Sequence, residues 1–165
     1  IYFFVAVSFL NLVGAGIFGF MINPPIALYY MQGLNTTAVH AHGALYGVYG
    51  TLGLALLLFC LRAMNPQTVW KEGLIKFAFW AINIGCLAMM LLSLLPIGLM
   101  QTAESISNGY WSARSPEFMQ TDVMQFFRWI RIFGDTIFAV GAVAFVWFAI
   151  KIIIQNRRQT TSELK

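Results

Sequence analysis

The sequence predicts an all-α membrane protein, a bundle of four helices that each cross the bilayer. Two properties of the composition support this: 59% of the 165 residues are hydrophobic, and only 10% are charged. A soluble domain carries about 25% charged residues and has enough surface to need them. The third observation is that the apolar residues form four long stretches, and a membrane helix needs about 20 such residues.

The first two stretches contain no charged residue. Residues 1–22 form the first, and Asn23-Pro24-Pro25 ends it, because proline does not continue a helix and restricts the residue before it. Residues 26–36 are uncharged and include two tyrosines, which favours a loop at the membrane interface. Residues 37–61 form the second span, which holds both histidines of the chain.

The third and fourth spans complete the bundle. Residues 77–100 are uncharged and carry Pro96 near their end, and residues 122–155 form a last stretch that is longer than a bilayer requires. We interpret residues 1–165 as a single transmembrane region. Since the sequence begins with Ile1 inside an apolar stretch, we expect it to be the C-terminal part of a longer subunit.

Basic residues predict the orientation of the bundle. They outnumber acidic residues in the second connection and in the tail, which the positive-inside rule assigns to the cytoplasm. These residues are Arg62, Lys71 and Lys76 against Glu72, and Lys151, Arg157, Arg158 and Lys165 against Glu163. The C-terminus is therefore predicted to be cytoplasmic, with both histidines in the outer half of the membrane. The net charge of +4 is modest, and we expect lipid, not nucleic acid, as a partner.

His40 and His42 are the best candidates for metal ligands. An ionisable residue inside a span is costly and marks a functional site by default, and neutral imidazole is the commonest metal ligand. Positions i and i+2 of an α-helix are about 200° apart, so the two rings leave the helix on opposite faces. The pair therefore suits two different cofactors better than one shared metal. A hydrogen bond to a neighbouring helix is the alternative role for each ring.

Arg128 and Arg131 are the candidate partners for an anionic group. They lie three residues apart at the outer start of the fourth span and so share a face. The planar guanidinium of arginine can donate two parallel hydrogen bonds to one carboxylate. The alternative is that both side chains simply extend to the membrane interface to keep their charges in water. Asp135 follows Arg131 by four residues, and we expect the two side chains to form an ion pair or hydrogen bond.

Five motifs of this sequence are informative together: NPP at residues 23–25, YYMQG at 29–33, NTTAVHAHGALYGVYG at 35–50, GYWSARSPEF at 109–118 and RWIRIFGDT at 128–136. With these motifs the sequence resembles the haem-copper oxidase superfamily, and within it the quinol-dependent nitric oxide reductases. The resemblance covers nearly the whole chain. It implies that the four spans are the last four helices of a catalytic subunit in the bacterial inner membrane.

The resemblance also implies roles for the candidate residues. His40 corresponds to the proximal ligand of the high-spin haem b3, and His42 to a ligand of the low-spin haem b. Arg128 and Arg131 correspond to arginines that hold haem propionates. The implied reaction reduces two molecules of nitric oxide to nitrous oxide and water, with electrons from quinol, at haem b3 beside a non-haem iron.

This sequence departs from the family pattern in one respect. It contains two histidines, and both are assigned to haem. The histidine and glutamate ligands of the non-haem iron, and the second ligand of haem b, must therefore come from the rest of the subunit or from a second chain. We expect this chain alone to be inactive.

Two other functions remain open from the sequence. A reductase that takes electrons from cytochrome c would use the same chemistry with a different donor. A transporter fragment, in which His40, His42 and Asp135 relay protons, belongs to a different class. Transporters often carry internal repeats and helices broken near the midplane, whereas this sequence has no repeat and its prolines lie near the ends of the spans.

Overall fold

The computed structural model describes the backbone of residues 1–163 and the side chains of residues 1–157. The helices are α1 (Tyr2–Ile22), α2 (Pro25–Met31), α3 (Asn35–Met64), α4 (Glu72–Asn108), α5 (Pro116–Met119) and α6 (Asp122–Glu163), with a 3-10 turn at Ser112–Arg114. No strand occurs within residues 1–163. The all-α prediction is confirmed, and four of these helices are long and apolar enough to cross a membrane.

Three of the long helices contain a wider, π-helical segment. These segments are Asn11–Ile17 in α1, His42–Gly50 in α3 and Met89–Leu94 in α4. A π-helical turn contains an additional residue and occurs often at functional sites. The segment of α3 begins at His42, so the winding of this helix changes directly beside the candidate ligands.

Helix α4 is longer than the predicted third span. It begins at Glu72 and continues through Pro96 to Asn108, where Gly109 ends it with a φ of +96°. Proline lacks an N–H and its ring crowds the carbonyl four residues earlier, which here belongs to Leu92. Since Leu92 lies in the π-helical segment, the wider turns before Pro96 allow the helix to continue.

The first connection also differs from the prediction of a loop. It contains the short helix α2, which starts with Pro25, because a proline at the first helical position has a suitable φ and needs no N–H partner. The third connection holds it in place. The Tyr110 hydroxyl and the Arg114 guanidinium both donate hydrogen bonds to the carbonyl of Gln32, at 2.7 and 3.0 Å. These hydrogen bonds join the first connection to the third at one end of the bundle.

Glycines bring the long helices into close contact. A Cβ atom at Gly14 of α1 would lie 2.6 Å from the Cα of Gly43 of α3, and one at Gly85 of α4 would lie 2.5 Å from the backbone nitrogen of Phe138 of α6. Small residues at membrane helix interfaces allow such close approach. Large apolar side chains remain exposed along all four long helices, as expected for surfaces that face lipid or further helices. The chain is thus a multi-pass membrane protein.

Candidate functional site

His40 lies at the contact between α3 and α1. Its Nδ1 is 3.0 Å from the carbonyl oxygen of Gly14. A Cβ atom at Gly19 would lie 2.9 Å from His40 Cε1, so the ring lies against α1 at a point where α1 has no side chain. Two glycines of α1 therefore position the imidazole: Gly14 accepts its hydrogen bond, and Gly19 has no side chain that would collide with the ring.

His42 lies two residues further along, and its ring has different neighbours. Its Nδ1 is 2.8 Å from the carbonyl oxygen of Ala38, one turn earlier on the same helix. The ring borders a cavity of about 400 Å³ between α3, α4 and α6. The two imidazoles thus share a helix but contact different parts of the bundle.

Both imidazoles are held in the same tautomer. A carbonyl oxygen only accepts hydrogen bonds, so Nδ1 of each ring must be the donor, and Nε2 of the neutral ring is left as an acceptor. Histidines that bind metals usually donate their other ring nitrogen to a carbonyl or carboxylate, which fixes the ring and raises its basicity. This arrangement leaves each Nε2 suited to ligate a metal.

The cavity beside His42 combines a cation with apolar and aromatic walls. Its lining consists of His42 and Tyr46 of α3, Cys86 and Met89 of α4, and Arg131, Asp135 and Phe138 of α6. The rings of Tyr46 and Phe138 meet edge to face, with their centroids 4.8 Å apart. An imidazole, a guanidinium and aromatic surface are the groups that suit a flat, anionic metal complex.

The two candidate arginines have different environments. Arg131 lines the cavity, and its Nε donates to Asp135 Oδ1 at 3.3 Å, which confirms the predicted pair. Arg128 is exposed and is not part of the cavity lining. Three helical residues span about 300°, so a difference of about 60° separates the two side chains. The structure brings His42 and Arg131 together and leaves His40 and Arg128 apart from them.

Four residues of the cavity were not identified from the sequence: Tyr46, Cys86, Met89 and Phe138. Their spacing along the helices is the sequence signal that could have identified them. Tyr46 follows His42 by four residues, Met89 follows Cys86 by three, and Phe138 continues the stripe of Arg131 and Asp135. Each set lies on one face of its helix, although the sequence does not tell which faces meet.

A site made of several protein ligands is not found in the described part of the chain. No group of three or more His, Cys, Asp and Glu side chains comes together there to hold a metal ion. Among these residues, each imidazole could supply only one protein ligand to a metal, and that metal would need a group that provides its remaining coordination. Porphyrins have this property, because four of the metal's ligands come from the macrocycle.

The fold and this site define a class: multi-pass membrane proteins in which one helix presents two imidazoles to different neighbours. A comparison with known protein families identifies a family with these features. The profile of the family "Cytochrome C and Quinol oxidase polypeptide I" matches residues 1–137, which include both histidines, both arginines and Asp135. The chain belongs to this family.

The chain is also similar to an individual curated protein. The chain is 28% identical over 146 residues to a subunit of the nitric oxide reductase from Stutzerimonas stutzeri. The similar region covers 82% of this chain and 29% of the relative. The chain thus spans less than a third of the length of the protein it resembles.

Proposed function

We propose that this chain is the C-terminal, four-helix part of the catalytic subunit of a nitric oxide reductase. The proposed reaction converts two NO, two electrons and two protons to N2O and water. The main support is the arrangement of the two imidazoles, each with Nδ1–H on a backbone carbonyl and Nε2 left for a metal. Family membership and the similarity to a nitric oxide reductase support the same function.

His42 is proposed to be an axial ligand of a low-spin haem b. The residues that line the cavity at its ring suit this group chemically, because Tyr46 and Phe138 offer aromatic surface and Arg131 offers a cation for a propionate. For Arg128, which does not line this cavity, a propionate contact is proposed from the family resemblance alone. When bound, this haem supplies electron transfer, while the protein sets its position and electrostatic surroundings.

His40 is proposed to be the proximal ligand of a high-spin haem b3. Its hydrogen bond to Gly14 and its contact with Gly19 hold the ring on one side of α3, away from the cavity at His42. A ring held in this way would bind the haem at a defined place on the helix. The His40-Ala41-His42 segment would thereby set the spacing and orientation of two haems with a single intervening residue.

The remaining parts of the active site are proposed to lie outside these 165 residues. Both histidines of the chain are used for haem, so the histidine and glutamate ligands of a non-haem iron must come from the rest of the subunit or a second chain. The same holds for the second ligand of haem b. We therefore propose that the chain has no activity by itself, and that the subunit spans the bacterial inner membrane with its C-terminus in the cytoplasm.

Quinol is the proposed electron donor, because its two-electron oxidation releases the two electrons and two protons that the reaction consumes. The motifs shared with the quinol-dependent enzymes support this choice. Reduction of NO by the purified full-length subunit with quinol, without cytochrome c, is the expected result. Turnover that requires added cytochrome c would instead assign the enzyme to the cytochrome c-dependent group.

Optical spectra of the full-length subunit test the haem assignment. In reduced-minus-oxidised spectra, His42→Ala should remove the low-spin signal and keep the high-spin one, and His40→Ala should do the reverse. Leu45→Ala, an exposed position on the same helix, should keep both. If both histidine variants lose the same haem, or if the unmodified subunit has no b-type bands, the proposal is wrong.

A further inference from the structure

A second cavity lies at the end of the bundle that carries the C-terminal tail, far from the histidines along the chain. Its volume is about 640 Å³, and its walls come from the end of the second connection, the start of α4 and the later part of α6. The residues that matter for its chemistry are Lys71, Leu74, Trp147, Phe148, Lys151 and Ile152. The cavity therefore combines two cations with an apolar and aromatic surface.

Both lysines are available to an external anion. Neither forms an ion pair with a side chain that the structure describes, and no carboxylate is part of the cavity lining. The nearest acidic residue in the sequence, Glu72, lies 2.7 Å from Lys76 and borders a different cavity. Lys151 Nζ lies 5.4 Å from the centroid of the Trp147 ring, so a cation and an indole are placed side by side at the cavity.

Arg62 is another basic residue near this end, and its side chain already has partners. The Arg62 guanidinium donates to the carbonyl of Thr68 at 3.0 Å and lies over the ring of Trp70, 5.5 Å from its centroid. Arg62 and Lys76 are therefore held by neighbours, while Lys71 and Lys151 face the cavity. The positive charge at the cavity comes from the residue before α4 and from α6, which suits a ligand bound between them.

An apolar groove continues from this cavity along α6. It is lined by Ala142, Val143, Val146, Trp147 and Ile150 and exposes no polar atom. Trp147 belongs to both the groove and the cavity. The ten residues from Ala142 to Lys151 extend over about 14 Å of helix. The groove leads from the two lysines towards the middle of the membrane span.

We propose that the cavity and the groove together bind one anionic phospholipid. The phosphate lies between Lys71 and Lys151, the indole of Trp147 lies at the level of the lipid ester groups, and one acyl chain follows the groove. Basic pockets between membrane helices on the cytoplasmic side bind anionic head groups, and tryptophan is enriched at the membrane interface. This lipid site requires a chain that spans a membrane but does not depend on the proposed reductase activity.

The charge distribution favours a lipid over the other possible occupants. A further helix of the subunit would bury two lysines, and their desolvation is costly unless that helix supplies matching carboxylates. A free phosphate ion would leave the groove along α6 without a ligand. A phospholipid matches both the cavity and the groove, since its charged head group would contact the two lysines and its hydrocarbon chain would lie in the apolar groove that follows.

Native mass spectrometry of the full-length subunit provides the test. The subunit is incorporated into nanodiscs of phosphatidylcholine and phosphatidylglycerol, extracted, and examined for retained lipid. We expect preferential retention of phosphatidylglycerol, reduced about fivefold by each of Lys71→Gln and Lys151→Gln. Lys76→Gln is the matched control, because it removes the same charge from the same end without lining this cavity. Lys151→Arg keeps the charge and should retain the lipid.

Phosphatidylglycerol with a photoreactive acyl chain tests the groove separately. Crosslinks should fall in residues 142–150 and should be reduced by Trp147→Ala. The proposal is overturned if phosphatidylcholine is retained equally well, if Lys76→Gln has the same effect as the cavity variants, or if inorganic phosphate displaces the lipid. It is also overturned if residues 142–150 crosslink to other helices of the subunit and not to lipid.

Discussion

The two faces of α3 differ in how they hold an imidazole. On the His40 face, α1 approaches so closely that its glycines leave only the room that the ring needs. On the His42 face, side chains of three helices surround an open cavity. The His40 ring has room because the facing glycines of α1 have no side chains, whereas the surroundings of the His42 ring are formed by side chains of α3, α4 and α6. Substitutions on the two faces should therefore act through different physical effects.

The largest expected effect comes from closing the space between α1 and α3. A Cβ atom at Gly43 would lie 2.5 Å from the Cα of Gly14, and backbone cannot move aside as a side chain can. Gly43→Ala should therefore lower the free energy of unfolding by about 2–3 kcal/mol. The measurement is unfolding of the full-length subunit in mixed micelles with increasing denaturing detergent.

Gly53→Ala, on the same helix, is the control for this prediction. No atom lies within 4 Å of a Cβ at this position. Alanine is the better helix former, so this variant should be unchanged or more stable by up to about 1 kcal/mol. Equal destabilisation by the two substitutions would mean that the contact of α1 with α3 is not tight.

A smaller change on the same face should act on His40 alone. A Cβ atom at Gly19 would lie 2.9 Å from His40 Cε1, so Gly19→Ala should displace the ring. Under the proposed function, NO reduction should fall roughly 10- to 100-fold, since small misplacements of reacting groups cost this much. The high-spin haem spectrum should change and the low-spin spectrum should not.

Gly16→Ala serves as the comparison, because the nearest atom to a Cβ there is the Asn11 carbonyl oxygen of the same helix, at 3.3 Å. It should leave both spectra intact. A change of the low-spin haem in Gly19→Ala would show that the two faces of α3 are not independent.

On the His42 face, charge should matter more than space. Arg131→Gln removes the cation that lines the cavity, and a nearby positive charge favours the reduced haem. The midpoint potential of the low-spin haem should fall by about 40 mV, which corresponds to about 1 kcal/mol for one electron. Redox titration monitored by the low-spin band measures it. Arg128→Gln is the matched control, because Arg128 is exposed and does not line the cavity, and it should shift the midpoint potential less. An equal shift would contradict the difference between the two arginines.

The smallest effect is expected from Asp135. Its carboxylate pairs with Arg131, but the two side chains are 48% and 39% exposed, so solvent weakens the interaction. Asp135→Asn should raise the midpoint potential by about 20 mV or less, opposite in sign to Arg131→Gln. Asp122→Asn, at the start of α6, should have no effect. A fall in potential for Asp135→Asn would be inconsistent with a neutralising role.

The sequence predicted the number and the approximate positions of the spans because uncharged apolar stretches of this length have few alternatives. The ends of α4 were harder to predict. The exposed pair of Glu72 and Lys76 belongs to the helix although it lies before the apolar stretch, and the helix continues beyond Pro96. Charge marks where an apolar stretch ends, but a helix can extend past that point into the interface.

The cavity could not be predicted from the sequence for a different reason. His42 and Arg131 were both identified, but their proximity depends on how α3, α4 and α6 are rotated against one another. Close contacts at Gly85 and Gly134 set part of that rotation. A helical stripe such as Arg131, Asp135 and Phe138 can be recognised in the sequence, whereas the stripe that it meets is fixed only in the folded bundle.

The π-helical segments have a consequence for how this chain tolerates changes in length. A wide turn holds one residue more than an α-helical turn, so the loss of one residue there restores a regular helix without rotating the parts on either side. The same loss elsewhere would turn all following side chains by about 100°. Apart from Gly14, His42 and Gly43, single-residue deletions should therefore be tolerated best within Asn11–Ile17, His42–Gly50 and Met89–Leu94, and homologous sequences should differ in length at these three places.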